Sequence, residues 1–266
     1  MLLHDCTAGL LHMWRYFLLL FVLAAYAVVS LYFLAEQISV RPSLGDYIFH
    51  FFKGMEVYHP TASERFQIPS IYLLFHLFIS FIVARYPLSD LSGYGKQILM
   101  RGRSRVKWLL SKYAWAVLMV CVCYCIVFFL AFAFSLVTGN LSLRLTPSLI
   151  QRYFGVDTSV LTAGRLILIG FLIPVMVSIA LSFLELTLSI YARPLWGFMA
   201  ITVLLAVSAY YCHPLLPGNY LMIFRSQFAN PAEGVAWQAG LAGAWGLTVA
   251  CVLAGIFRIR RYDVLQ

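Results

Sequence analysis

Glu185 is the first residue to suggest chemistry, because it sits within an apolar run, LILIGFLIPVMVSIALSFLELTLSIY, at residues 166–191. An ionisable side chain at the centre of a bilayer costs about 2.5–3.5 kcal/mol on insertion scales, so one that is kept there has a function or a partner. Arg193 lies about two helical turns further on and is one candidate; a group on a neighbouring helix is the other. A proton relay needs a second intramembrane acid or histidine, and His76 is the residue of that kind in the middle of an apolar run. Cys121, Cys123 and Cys125 invite a metal. On a helix, however, 121 and 125 share a face while 123 points away, and the three read as small buried hydrophobes. No His, Cys and Asp set has metal-ligand spacing. HExxH, GxSxG and GxxxxGK[ST] do not occur, so neither a hydrolytic centre nor a phosphate-cradling loop is expected on this chain.

The elements that hold these residues follow from composition. Of the 266 residues, 62% are hydrophobic and 11% charged, whereas about a quarter of a soluble domain is charged. Six runs, at 14–35, 69–84, 113–137, 166–191, 195–212 and 237–257, approach or exceed the ~20 apolar residues of a membrane-spanning helix. The first is too long for a signal-peptide core and no basic n-region precedes it. The reading is an all-α polytopic membrane protein, a single transmembrane domain over 1–266 with six spans.

Charge orients those spans. Residues 85–112 carry Arg85, Lys96, Arg101, Arg103, Arg105, Lys107 and Lys112 against one acid, Asp90. With this segment and both termini in the cytoplasm, the inner face holds twelve basic and three acidic residues, and the outer face seven and six. That is the positive-inside bias. The net charge of +9 is therefore topology charge, and nucleic acid is not an expected partner; membrane lipid is. Between the first two runs, Leu44, Tyr47, Ile48, Phe51, Phe52, Met55 and Tyr58 recur at three- and four-residue steps, with Asp46, His50, Lys53 and Glu56 on the other side. This predicts an external amphipathic helix of about four turns, lying in the outer interface or packed on the ends of neighbouring spans. Pro42-Ser43 with Asp46 predicts a capping box with Ser43 as N-cap. Pro174 predicts a kink in the fourth run, and Pro147 opens a short helix. In the last run Ala242, Gly246, Ala250 and Ala254 recur every four residues, a ribbon on which helices pack closely, within the chain or against a second copy.

The basic segment has structure of its own. A short helix from Ser92 to Arg101 would be broken at Gly102, and Ser104 would cap a second helix that contains Trp108 and runs into the third span. A short helix joined rigidly to two spans is a lever; the plainer reading is that its charges hold lipid headgroups. The layout, with SDLSGYGKQILMRGRSRVKWLLSK between the second and third runs, PLLPGNYLMIFR before the last and RIRRYDVL at the close, resembles a permease subunit of the type-2 class of ATP-binding-cassette transporters. The likeness departs at its start, where an N-terminal interfacial helix would have to fit within residues 1–13. It implies that residues 93–105 form a coupling helix docking on a separate ATPase, with Gly93, Gln97, Arg101, Arg103, Arg105 and Trp108 at the joint. It also implies two ATPase subunits that bind ATP and magnesium, no cofactor on this chain, a second permease half, identical or homologous, and a bacterial plasma membrane. The aromatic, nearly uncharged spans favour an amphipathic or lipophilic cargo (a peptide, drug or lipid). A secondary transporter or channel working without an ATPase is the alternative.

Overall fold

The computed structural model describes residues 2–60, 66–92 and 105–260. Helix α1 (Leu2–Glu36) is continuous, so residues 2–13 extend the first helix and form no separate element. It ends in a tight turn where Ser39 takes a left-handed φ of 54°. Then follow α2 (Leu44–Phe52), α3 (Ser70–Ser92), α4 (Arg105–Thr138), α5 (Pro147–Phe154), α6 (Ala163–Tyr191), α7 (Pro194–Tyr210) and α8 (Trp237–Arg260). Two short 3₁₀ turns, Pro217–Leu221 and Ile223–Arg225, lie between α7 and α8. Among the described residues there is no strand beyond one bridge between Ser226 and Val235. Helices occupy all six apolar runs. Those in α1, α4, α6 and α8 are long and apolar enough to cross a membrane by length and composition, while Ser70–Arg85 of α3 and α7 are apolar but shorter.

The centre is α6, the most enclosed of the four long helices, packed against α8, α7, α4 and α3. Where the sequence leads one to expect a kink at Pro174, the helix has a π-helical turn, Leu168–Leu172, just before it. Proline cannot donate to the carbonyl four residues back, and a wider turn absorbs that mismatch. The α6–α7 hairpin closes tightly at Gly197, where a Cβ would come within 2.8 Å of the Glu185 carbonyl oxygen.

Helix α2 differs from expectation in length. It has nine residues rather than four turns, ending where Gly54 adopts a φ of +67° against the Met222 side chain. Of the two settings expected for it, it takes the packed one, because Gly45–Phe52 are all buried. Its aromatic residues find partners on several sides: Phe49 against Phe154 and Phe224, Phe51 against Phe75, and Phe52 stacked on Tyr124 and Phe128. The predicted capping box is present, with Asp46 N donating to Ser43 Oγ at 3.1 Å and Ser43 N to Asp46 Oδ2 at 2.8 Å. The short helix at Pro147 is present too, closed by Gly155 in the left-handed region.

Among the described residues, most of the small-residue ribbon of α8 is left uncovered. Ala242, Gly246 and Ala250 are exposed, Ala254 is half-buried, and the space beside Gly246 is open. Another line carries the packing: Gly240 against the Tyr220 ring, then Ala244, Cys251, and Gly255 against the Tyr113 hydroxyl. Small residues four apart recur on more than one face of α8, so spacing alone did not select the inner one.

Candidate functional site

Two polar centres in the bundle interior bring together residues from several helices. The first is between α3, α6 and α7. On α3, His76 and Ser80 are one turn apart and share a face; on α6, Ser178, Ser182 and Glu185 do likewise. With Ile201 and Leu205 of α7 they line a cavity of about 10 Å³, room for roughly one water. Glu185 is 1% exposed and accepts a 2.8 Å hydrogen bond from Ser80. It makes no ion pair with Arg193, which is exposed at the start of α7. Of the two partners the sequence allowed, the one on a neighbouring helix is therefore the one found. His76 Nδ1 is 2.8 Å from the Tyr72 carbonyl, while Nε2 is buried with no hydrogen-bond partner. Ser182 donates to the Ser178 carbonyl, and the Ser178 and Tyr124 hydroxyls are 3.0 Å apart.

The second centre joins the segments at the opposite end from the basic residues. Arg225 is fully buried. Its Nη1 donates to the carbonyls of Ser208 and Tyr211 and, at 2.6 Å, to Asn219 Oδ1; its Nη2 donates to Ala209 O at 2.5 Å and Glu56 O at 3.4 Å. The last carbonyls of α7 have no helical donors of their own, and the guanidinium supplies them while its charge complements the helix C-terminus. Asn219 Nδ2 donates in turn to Tyr211 and His213 carbonyls, so one side chain ties the loop after α7 to the stretch after α2. Sequence reasoning counted Arg225 only as an outer charge. The available signal was a cation directly after the apolar Leu221-Met222-Ile223-Phe224, where nothing but burial was to be expected.

Nearby, His50 lies against Ser30, its Nε2 3.1 Å from the hydroxyl, and Lys53 sits 4.1 Å above the Phe154 ring. Burial, then the Lys53 charge, push His50 down from its usual range to about 3, and burial lowers Lys53 to about 8. As pH falls below ~6.5, the unfolded chain takes up a proton that folded His50 refuses, so stability falls by up to ~1.4 kcal/mol per pH unit. The melting temperature of the purified protein is therefore expected to drop between pH 7 and 5. A His50→Phe variant should lose the part of that slope due to this ring; an unchanged slope would show that His50 is not responsible.

Of the coupling residues, Gly93, Gln97, Arg101 and Arg103 lie outside the described residues. Arg105 begins α4, and Trp108 is buried on it, with Lys112 Nζ 5.5 Å from the Trp108 ring. The bundle brings these residues to the end where Arg85 covers the Tyr16 ring and Arg258 covers Tyr191. An apolar groove of about 350 Å³ opens between α2, α4 and α6, lined by Ile48, Phe128, Phe132, Leu166 and Phe171 among others. Among the described residues, no three His, Cys, Asp or Glu side chains gather as a metal site would need. No curated protein and no solved structure matches the chain. Residues 24–265 match the model of a family described as a protein of unknown function, DUF2705, and the chain belongs to that family.

Proposed function

We propose that the chain is the membrane-spanning permease subunit of an ATP-driven transporter, working with a second permease half and two separate ATPase subunits that bind ATP and magnesium. Six helices cross the membrane in this reading, with both termini and the basic segment in the cytoplasm of a bacterial cell. The observation that carries it is α4. Its 34 residues form one uninterrupted helix, about 51 Å long at 1.5 Å per residue against a hydrocarbon core of about 30 Å. A rod of that length joins the basic segment directly to the far end of the bundle, where α2 packs. Force applied by an ATPase at residues 93–105 would tilt α4 and α3 together, and Trp108 and Arg105 stand at the fulcrum. The apolar groove beside α4 suits an amphipathic or lipophilic cargo. A second reading, a carrier or channel without an ATPase, draws on the polar cavity around Glu185.

Reversing the charge at Arg101, Arg103 and Arg105 together tests the first reading. Truncating buried charge contacts at an interface costs roughly 2–5 kcal/mol, so co-purification of the ATPase and ATP-dependent transport should fall at least tenfold while membrane insertion stays normal. Assembly and transport at wild-type levels would reject the docking role, and a purified chain that moves cargo alone would favour the carrier.

A further inference from the structure

The cavity between α3, α6 and α7 presents lone pairs. The contact of His76 Nδ1 with the Tyr72 carbonyl fixes the ring proton on Nδ1 and leaves Nε2 as an acceptor, buried and without a partner. Ser80 spends its hydrogen on Glu185 and Ser182 spends its own on the Ser178 carbonyl, while Ser178 and Tyr124 share one hydrogen bond that leaves one hydrogen between them. What His76, Ser80, Ser182 and Glu185 can still offer an occupant is therefore a set of acceptors. A buried carboxyl group also calls for a positive counter-charge, and no basic side chain among the described residues pairs with Glu185. An anion would meet at most one hydroxyl donor here, beside a carboxyl group that repels it. A divalent ion would face one carboxyl group where it needs six or more oxygen ligands or its own waters, in a space of about 10 Å³.

We propose that this cavity binds one monovalent cation no larger than a water molecule: a sodium ion held by Glu185, Ser80, Ser182 and His76 Nε2, or a proton, which the Glu185 carboxylate itself takes up beside a water. The occupant bridges α3, which leads into the basic segment, to α6 at the centre of the bundle, so its loss loosens the pair. The site is independent of the permease reading, since an ATPase-free carrier could use it equally.

Melting curves of the purified full chain, at pH 8 in sodium chloride and in choline chloride of equal ionic strength, give the sodium arm. A series from pH 8.5 to 5.5 in choline chloride gives the proton arm, with Glu185→Gln beside the wild type in both. The other titratable groups around the cavity are Tyr72 and His76 on α3 and Tyr124 on α4; α7 adds only Ile201 and Leu205. These groups, and His50, are common to both proteins and cancel in the comparison. A sodium ion at the site raises the wild-type midpoint by about 3 °C or more, and Glu185→Gln abolishes the rise. A proton instead leaves sodium without effect and makes the wild type gain on Glu185→Gln as pH falls. If Glu185→Gln does not fold, Ser80→Ala, which removes one oxygen, should reduce whichever response the wild type shows. Indifference to sodium together with parallel pH profiles, or an undiminished response in Ser80→Ala, would mean that the cavity holds a neutral water only and would overturn the proposal.

Discussion

Replacing Arg225 with methionine is expected to lower the melting temperature by roughly 10 °C or to stop the protein accumulating at all, more than any single exposed charge could do. The reason lies in what the guanidinium satisfies. It donates to the carbonyls of Ser208, Ala209, Tyr211 and Glu56 and to the Asn219 side chain, and methionine has no donor for any of them. Hydrogen bonds to a charged group contribute about 1.5–3 kcal/mol each, and a buried carbonyl left without a donor loses its desolvation energy outright. Even with relaxation and water entry, a loss of about 4 kcal/mol is expected, which at ~2–4 °C per kcal/mol gives the stated shift. Arg225→Lys should recover only part of it, because three donors on a single nitrogen cannot span carbonyls that a planar fork reaches together. Thermal unfolding in detergent would decide the matter. A methionine variant that melts within 2–3 °C of wild type would show that water or another side chain caps α7.

Local signals are legible in the sequence, and long-range ones are not. Ser43 with Asp46 three residues later, Pro147 at a helix start and Pro174 inside a run each act within one or two turns of their own position, and the structure has a cap, a helix start and a π turn there. The burial of α2 depends instead on Phe75, Tyr124, Phe154 and Phe224, which reach it from up to about 170 residues away in the chain. A helix with aromatic residues on one side and Asp46 and His50 on the other looks interfacial until its polar residues are seen to have internal partners, Thr146 and Ser30. Glu185 stood out because an acid in an apolar run is costly wherever it points. Its pairing with Ser80 depends on the register of α3 against α6, which no local pattern encodes. The same holds for α8, where the more regular line of small residues is the exposed one and the packed line is less regular.

Removing the Asp46 carboxylate is the second large effect, and it bears on how α2 is held beneath the rest of the fold. Asp46 is fully buried and, among the described residues, is not paired with a cation. Its Oδ2 accepts from Ser43 N at 2.8 Å and from the Thr146 hydroxyl at 2.6 Å, and its Oδ1 accepts from Thr146 N at 2.9 Å. Ser43 completes the joint by donating to the Arg144 carbonyl at 2.8 Å. One carboxylate thus serves the N-terminal caps of α2 and α5 across 100 residues of sequence, with its charge at the positive end of both helices. Asp46→Ala strands two backbone N–H groups and a hydroxyl, for an expected loss of about 3 kcal/mol. Ser43→Ala should cost about 1 kcal/mol, an ordinary cap deletion. Asp46→Asn keeps one acceptor oxygen but turns an amide donor toward other donors, so it should lie nearer to alanine than to wild type. The discriminating measurement is a double-mutant cycle by thermal or denaturant unfolding. Thr146→Val should lose little further stability once Asp46 is alanine, giving a coupling energy of about 1 kcal/mol or more. Simple additivity would mean that α2 and α5 are capped separately and that the carboxylate does not join them.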